Sequence, residues 1–495
     1  MNSVYLLGTG DCSIQDIKKI LHGELKLEVE PALKLKLQQQ RTKLEAILDE
    51  SDQAIYGINT GFGALCNTII ADDKLNELQS NLVRSHACGF GALVPIPTVR
   101  LVLLLKIICL CKGYSAVRWE LIEFLIQLFN QKITPQIPEM GSLGASGDLA
   151  PLAHLSLPCI GEGILNYESK EYPSFDLLSK LNIPIPYLKA KEGLALLNGT
   201  QYSLALLFTA WDSAKRSYHN SNLNVALSME AFNCNLGFLH PKIHEIRKQA
   251  GQIHAANEIS IWLDGSDLNT RDQKSVQDPY SFRCAPQVHG ASYDVIRYCK
   301  SIIENEINSV TDNPLMVSET EIVSGGNFHA QPLALASDFL CLAVAELANI
   351  SERRLYQLVC GLRGLPDFLT SEAGLNSGYM IVQYAAAAAV SLNKQYCSPS
   401  SIDSIISSKG QEDHVSMAAN AGIRCNKIAQ QTEMVLAMEW LTATRAMHFR
   451  QNYKTGAALK NLIAKFQEIV PFQAEDHIPS LYYQKSIDFL KTIAH

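Results

Sequence analysis

Apolar residues recur at steps of three and four along most of the chain beyond about residue 204. This spacing places apolar side chains on one face of a helix, so it predicts helices rather than strands. Several of the segments are longer than an average globular helix, and antiparallel packing in a bundle buries such faces best. The predicted long helices are Leu204–Leu236, Val288–Val310, Pro332–Leu362 and Asp413–Phe449.

The first part of the chain has a different pattern. Glycine and proline interrupt it at short intervals, as in Tyr56–Gly63, Pro135–Pro138 and Gly141–Gly147. Such punctuation predicts short elements joined by turns. Strand signals are few, with Glu321–Val323 as an example. We therefore predict a mainly α protein with a loop-rich domain over residues 1–203 and a long-helix bundle over residues 204–495 that ends in a helical cap.

The charge balance narrows the range of partners. The 495 residues include 42 Lys and Arg against 49 Asp and Glu, a formal charge of −7 without a basic tract. This composition argues against a nucleic-acid or anionic-membrane partner. Charged residues make up 18% of the chain, below the roughly 25% that is usual for soluble domains. We expect part of the surface to be covered by other subunits of an oligomer.

The cysteines and the apolar segments bear on the compartment. The beginning, Met1–Tyr5, has no basic stretch leading into an apolar one, so we expect no signal peptide. The apolar stretches Leu101–Cys111 and Met380–Val390 are shorter than the roughly 18 residues of a membrane span. Most of the 13 cysteines lie in apolar segments, and none forms a Cys-x-x-Cys pair. We predict reduced thiols and a cytoplasmic protein.

The segment Gly141–His154 holds a serine among glycines and invites a catalytic interpretation. A serine-hydrolase elbow needs glycine two residues after the serine, but Asp148 stands there after Ser146. A phosphate-binding loop would need a Gly-Lys-Ser/Thr ending, which is also missing. A plain turn that enters a helix, capped by Ser146 or Asp148, remains an alternative.

A third chemistry suits the tripeptide Ala145–Gly147. If the chain bends tightly, the amide nitrogen of Gly147 can attack the carbonyl carbon of Ala145; two waters are lost in all, one as the five-membered ring closes and one that carries the Ser146 hydroxyl. Ser146 then becomes a dehydroalanine because its hydroxyl leaves. Glycine is needed because a side chain would clash as the backbone folds on itself. The product, 4-methylidene-imidazol-5-one, is an electrophile made from the protein.

At this point the sequence resembles the aromatic amino acid ammonia-lyases, and within that family the lyases that act on histidine. The resemblance runs through nearly the whole chain. The further motifs that carry it, in order, are Tyr56–Gly63, Ser85–Ala87, Leu194–Gln201, Gln277–Cys284, Thr311–Pro314, Gly325–His329 and Gln411–Met417.

The resemblance implies a fold and an activity. The expected architecture is that of the fumarase/aspartase-like superfamily, as a homotetramer whose active sites are each assembled from three chains. The expected reaction is deamination of L-histidine to trans-urocanate and ammonia. It would use the methylidene-imidazolone formed from Ala145–Gly147, with no metal and no soluble cofactor.

The resemblance also implies residue roles. Tyr56 would be the general base that removes the β-proton of the substrate, for which a phenol pKa near 10 must be lowered. On bare sequence, an exposed tyrosine in a turn is the alternative. The implied catalytic residues are Tyr56, Ala145, Ser146, Gly147 and Tyr280, and the implied substrate-binding residues are His86, Asn198, Gln277, Arg283, Phe328 and Glu412.

Each binding role has a physical reason. Arg283 resembles the clamp on the α-carboxylate, because a guanidinium fork matches a carboxylate with two hydrogen bonds. Asn198, Gln277 and Tyr280 resemble the residues that hydrogen-bond the prosthetic ring and the amine. Phe328 would pack against that ring. Without the family resemblance, the alternative is that Phe328 is an ordinary residue of the hydrophobic core.

Two positions bear on the choice of substrate. His86 can hydrogen-bond a polar ring, although some tyrosine lyases carry the same Ser-His pair. A carboxylate at Glu412 favours an imidazole and penalises a phenyl ring, which would leave the charge unpaired. A helix N-terminal acid is the alternative for Glu412. Departures from the usual histidine pattern, expected near the pocket, are Ser398, Gln331, Lys409–Gly410 and Ala418.

Two other functions fit the same sequence. One is a sister activity on the same scaffold: a tyrosine or phenylalanine ammonia-lyase, or an aminomutase that returns ammonia to the β-carbon. The other is a non-catalytic helical scaffold that kept the fold. An unmodified Ala145–Gly147 would keep the full calculated mass, so the mass of the chain separates the scaffold from the enzymes.

Overall fold

The computed structural model describes residues 3–50, 60, 70–272 and 275–493. Helices dominate, and the predicted fold class is confirmed. The described α-helices are α1 (Ile14–Leu21), α2 (Pro31–Glu50), α3 (Leu75–His86), α4 (Ile96–Cys111), α5 (Trp119–Asn130), α6 (Leu149–Ser156), α7 (Ser174–Lys180), α8 (Glu192–Leu197), α9 (Gln201–Phe232), α10 (Pro241–Arg247), α11 (Ala250–Trp262), α12 (Tyr280–Arg283), α13 (Ala285–Ile307), α14 (Gln331–Val359), α15 (Met380–Tyr396), α16 (Ala418–Met447), α17 (Ala457–Ile469) and α18 (Ser480–Thr492).

The strands in the described part of the chain are short and form four small sheets. A parallel pair, β1 with β2, flanks α1, and the other pairings are antiparallel: β3 with β5, β4 with β6, β6 with β7, and β8 with β9. The strand expected near Glu321 is present as β9. The strands are β1 (Ser3–Leu7), β2 (Leu25–Val29), β3 (Phe90–Leu93), β4 (Thr134–Pro135), β5 (Pro138–Met140), β6 (Ile164–Tyr167), β7 (Lys170–Pro173), β8 (Leu315–Met316) and β9 (Ile322–Val323).

The chain divides into two compact units. The first segment of the first unit ends at Thr209, six residues beyond the predicted boundary at 203. Two segments from later in the chain also belong to this unit, which the prediction did not include. It contains Met1–Thr209, Ser301–Ser337 and Pro399–Ile423, and the second unit contains Ala210–Lys300, Asp338–Ser398 and Arg424–His495.

The four predicted long helices are present as α9, α13, α14 and α16. The longest, α9, is buried on nearly every face rather than along one stripe. Apolar and small residues on all sides permit such burial. Helix α14 is not one of the two stretches that the sequence analysis weighed as membrane spans. It is long and apolar enough by composition to cross a membrane, but 67% of its most apolar window is buried inside the protein. A core helix of a globular protein fits that finding.

The second unit has a core with both aromatic and ionic parts. The fully buried Trp440 lies with its ring centroid 5.8 Å from that of Phe466 and 5.7 Å from that of Phe489. Arg354 and Glu439, both fully buried, form a two-pronged ion pair with N–O distances of 2.5 and 2.8 Å. Because an unpaired buried charge is costly, a shift of α14 against α16 that separated these two side chains would be unfavourable.

Candidate active site

The Gly144–Gly147 segment forms a tight turn in the first unit. Gly144 and Gly147 pair across it as an isolated antiparallel bridge, with Ala145 and Ser146 at its tip. Ser146 has a φ of +53°, in the left-handed region that residues with a Cβ seldom adopt. The turn therefore holds the backbone folded back on itself at the tripeptide that the sequence singled out.

The backbone of Gly147 lies directly against that of Gly199. The two residues form a bridge, and the amide of Asp148 donates to the carbonyl oxygen of Gly199 over 2.8 Å. A Cβ on residue 147 would stand 2.2 Å from that oxygen, far inside van der Waals contact. Gly147 also has a φ of +82°, which glycine adopts without a steric cost. Both observations require glycine at this position.

Asp148 ties the turn to the beginning of α9. It is the N-cap residue of α6, but its side chain makes no capping hydrogen bond, so the simple capped turn is wrong in this respect. Its carboxylate instead accepts from the amide of Ser203 over 2.8 Å and from the Ser203 hydroxyl over 2.6 Å. Burial raises the pKa of Asp148 to about 6, and the hydrogen bonds from Ser203 oppose that rise.

Asn198 ends α8 next to the turn and is held by its side chain. Its Nδ2 donates to the carbonyl oxygen of Asn313 over 2.6 Å. Asn313 also accepts, at Oδ1, from the amide of Gly325 over 2.7 Å, in the loop that carries Phe328. The Oδ1 of Asn198 is buried without a hydrogen-bond partner among the described residues. It is one of several buried side-chain acceptors without a partner there, and it leaves one acceptor available beside the turn.

Two further contacts bring the motif near Glu412 to the same part of the first unit. The amide of Met417 donates to the carbonyl oxygen of Leu143, immediately before the turn, over 3.1 Å. His329, the neighbour of Phe328, lies with its Nε2 3.2 Å from Nδ1 of His414. Phe328 itself is half-buried in its loop rather than in a core.

Glu412 and His86 interact electrostatically within the first unit. His86 ends α3, and its Nδ1 lies 2.9 Å from the carbonyl oxygen of Leu82, so Nδ1 carries the hydrogen and Nε2 is left as an acceptor. Burial lowers the pKa of His86, which keeps the ring neutral at pH 7, although the Glu412 carboxylate opposes the shift. Glu412 is half-buried, and its Oε2 accepts from the hydroxyl of Ser407 over 2.9 Å.

Glu412 lies in a loop upstream of α16, so its interpretation as a helix N-terminal acid is wrong. Among the departures from the usual pattern, Gln331 begins α14 and donates from Nε2 to the carbonyl oxygen of Ser401 over 3.0 Å. Ala418 begins α16, and Ser398 belongs to the second unit, where its carbonyl oxygen accepts from Arg424.

Three of the predicted residues lie on one segment of the second unit. Asp278, which is buried, accepts at Oδ1 from Nη1 of Arg363 over 2.6 Å and anchors the segment. Arg283 donates from Nε to the Asp278 carbonyl oxygen over 3.1 Å, and its guanidinium lies 4.4 Å from the centroid of the Tyr280 ring. The side chains of Gln277 and Tyr280 are exposed. Tyr56 lies outside the described residues.

The comparisons with known proteins identify the family. The family model described as "Aromatic amino acid lyase" matches residues 12–468. The chain belongs to that family. It is 43% identical over 485 residues to a histidine ammonia-lyase of Geobacillus sp. (strain WCH70), covering 97% of this chain and 95% of the relative.

Two solved structures of the family share the fold over almost the full length. The histidine ammonia-lyase of Trypanosoma cruzi aligns with a TM-score of 0.90 at 35% identity, covering 98% of this chain and 93% of the other. The phenylalanine aminomutase of Pantoea agglomerans aligns with a TM-score of 0.92 at 30% identity, covering 98% of each chain.

The residues present fit the methylidene-imidazolone that the family resemblance implies. The turn at Ala145–Gly147 is already folded back, Gly147 has no room for a side chain, and the buried Oδ1 of Asn198 lies on the residue that precedes Gly199. Within the described ranges, no group of three or more His, Cys, Asp or Glu side chains is arranged to hold a metal ion.

The contact between Gly147 and Gly199 predicts a specific loss of stability. Gly147→Ala should lower the free energy of unfolding by about 1–3 kcal/mol beyond the cost of the positive φ alone, because its Cβ meets backbone atoms that cannot move independently. Gly265→Ala is the matched control, since Gly265 has a φ of +77° but no heavy atom within 4 Å of its Cβ position. Urea unfolding of both variants measures the difference; equal losses would contradict the contact.

Proposed function

We propose that this protein deaminates L-histidine to trans-urocanate and ammonia. The observation that carries the choice of substrate is that a neutral His86, with an acceptor at Nε2, lies close enough to the Glu412 carboxylate in the first unit for the two to interact electrostatically. A protonated imidazole offers one N–H to each acceptor, and a neutral imidazole offers one N–H to the carboxylate, whereas a phenyl ring would leave the carboxylate without a partner. The histidine ammonia-lyases among the relatives support the same choice.

The prosthetic group is part of the proposal. We infer that Ala145–Gly147 closes into a methylidene-imidazolone, supported by the backward fold of the turn and by the absence of space at Gly147 for any side chain. When formed, this group supplies an electrophilic carbon for the amine of the substrate. Asn198 and Gly199 would hold it, which is supported by their position beside Gly147.

The other residues bind and orient the substrate. Arg283 would pair with the α-carboxylate in two parallel hydrogen bonds, and its stacking on Tyr280 limits the orientations of both side chains. Gln277 would hydrogen-bond near the amine. Phe328, half-buried in its loop, would limit the access of water on its side of the substrate.

Tyr56 would take the β-proton. Removal of that proton by a positioned base contributes typically about 10²–10⁴-fold to the rate. A phenol does this work at neutral pH only if its pKa lies below its usual value near 10. The resemblance of Tyr56–Gly63 to the family motif supports this assignment.

We also infer the setting of the enzyme. A homotetramer with active sites shared between chains is supported by the low charge fraction of 18% and by exposed apolar side chains on long helices, such as Leu342 and Ile381. A cytoplasmic location is supported by the cysteines. Among the twelve in described positions, most are buried and none forms a disulfide with another.

An aminomutase is the second candidate, because the phenylalanine aminomutase of Pantoea agglomerans aligns over the full chain with a TM-score of 0.92. It would release a β-amino acid instead of an unsaturated acid. The polar pair His86 and Glu412 favours histidine over phenylalanine and so favours the lyase.

Removal of the hydroxyl that must leave tests the prosthetic group. Wild-type chain should weigh two waters less than its sequence, whereas Ser146→Ala cannot lose the water that carries the hydroxyl, so it should lack the two-water deficit and lose nearly all turnover of histidine. Ser156→Ala removes a buried hydroxyl that bonds to the backbone of its own helix α6, so it should keep the deficit. Intact-mass spectrometry and urocanate absorbance measure both effects. An active wild type of full mass would contradict the proposal.

Neutralising Glu412 tests the choice of substrate. Glu412→Gln removes the charge at nearly constant volume and should lower kcat/KM for histidine by at least about tenfold, since one decade corresponds to about 1.4 kcal/mol. The ratio of kcat/KM for histidine to kcat/KM for tyrosine or phenylalanine should also fall, and the mass deficit should be unchanged.

Asp413→Asn is the control for Glu412→Gln, because it removes an adjacent exposed acid from the same loop. We expect it to change kcat/KM little. Equal losses by Glu412→Gln on histidine, tyrosine and phenylalanine would mean that Glu412 supports the loop through Ser407 and that it does not select the substrate.

A further inference from the structure

Lys106 is a buried cation in the middle of an apolar helix. Helix α4 is apolar on both sides of it, from Leu101 to Ile107, and the Lys106 side chain has no exposure to solvent. Burial lowers the pKa of its ammonium, and the nearby Asp148 and Asp312 oppose that effect. A lysine is almost never fully buried unless it has strong partners. The roles proposed so far do not use it.

The hydrogen bonds of Lys106 go to backbone oxygens at the end of α8. Its Nζ donates to the carbonyl oxygen of Asn198 over 2.7 Å and to that of Ala195 over 3.2 Å. The last carbonyl groups of a helix have no intrahelical donor, and a cation near them is favoured by the helix dipole. Lys106 therefore supplies a hydrogen-bond donor to the carbonyl oxygens at the C-terminal end of α8, although Asn198 is 92 residues away in sequence.

The second buried lysine in this region behaves differently. Lys191 forms an ion pair with Asp312 at 2.5 Å, with both side chains nearly inaccessible. Lys106 instead donates to two backbone carbonyl oxygens. That backbone belongs to Asn198, whose next residue, Gly199, contacts Gly147.

We propose that Lys106 is a positioning residue that fixes the Asn198–Gly199 segment against the Ala145–Gly147 turn. The side chain of Asn198 is held separately, through Asn313, so Lys106 sets the backbone and Asn313 sets the amide. Without the ammonium, two buried carbonyl oxygens would lose their donor and the segment would shift to reach another. Closure of the ring and alignment of the amine would both suffer. The inference rests on the proposed function.

Lys106→Met tests this role, because it removes the donor and retains an unbranched apolar side chain. We expect a folded protein in which a large fraction of chains keeps the full mass of its sequence. Turnover per chain that has lost two waters should fall by about ten- to a hundredfold in kcat, as expected when reacting groups are misplaced by about 1 Å. KM for histidine should change much less, since the carboxylate clamp is on another segment.

The control is Leu104→Ala, on the opposite side of the same helix and also fully buried. It should lower the melting temperature while leaving the mass deficit complete and kcat per dehydrated chain near that of wild type. If Lys106→Met does not fold, Lys106→Gln, which retains a donor on a shorter side chain, is measured in the same way, with a smaller defect of the same kind expected.

The outcomes separate this inference from the proposed function. A wild type without the mass deficit or without histidine turnover would overturn the proposed function. Suppose instead that the wild type shows both the mass deficit and histidine turnover. The role of Lys106 alone would then be overturned if the folded Lys106 variant kept the complete mass deficit and the wild-type kcat. The role would also be overturned if its defects matched those of Leu104→Ala at the same loss of melting temperature.

Discussion

The candidate site depends on the close approach of two backbone segments, at Gly147 and Gly199. A Cβ at residue 147 would come within 2.2 Å of the Gly199 carbonyl oxygen, so the approach exists only because residue 147 has none. The same contact keeps Ala145 and Ser146 at the tip of a turn with a positive φ at Ser146. Local strain of this kind persists only where surrounding structure imposes it.

That surrounding structure consists of buried polar groups bonded to backbone. Asp148 holds the C-terminal side of the turn to the first turn of α9, through the amide and hydroxyl of Ser203. Asn313 accepts from the Asn198 side chain, and Lys106 donates to the Asn198 carbonyl oxygen. Each group is costly to bury alone and acceptable when bonded, so together they favour one arrangement of the turn.

The sequence predicts the helical class well, because long amphipathic or apolar segments have a clear period. The expected Leu204–Leu236 appears as Gln201–Phe232, and Val288–Val310 as Ala285–Ile307. The parallel pairing of Ser3–Leu7 with Leu25–Val29 was missed, since such short strands carry little periodic signal. The motifs also predicted which tripeptide would form a turn.

The contacts that support the turn could not be predicted in the same way. Asp148 was a candidate helix cap, but its carboxylate bonds to Ser203, 55 residues away in sequence. Lys106 interrupts the apolar stretch Leu101–Cys111, and its partners are carbonyl oxygens, which every residue has. Because every residue type has a carbonyl oxygen, the sequence does not indicate which one Lys106 bonds. Only the fold shows that it is the oxygen of Asn198. The one local signal was a lysine isolated among apolar residues.

The most direct test of the account is the identity of the product from a mixture of amino acids. Wild-type protein is incubated with L-histidine, L-tyrosine and L-phenylalanine at equal concentrations, and the products are separated and weighed by mass spectrometry. The account predicts trans-urocanate and ammonia as the dominant products. A predominance of coumarate, cinnamate or a β-amino acid would contradict it, as would the return of all three substrates unchanged.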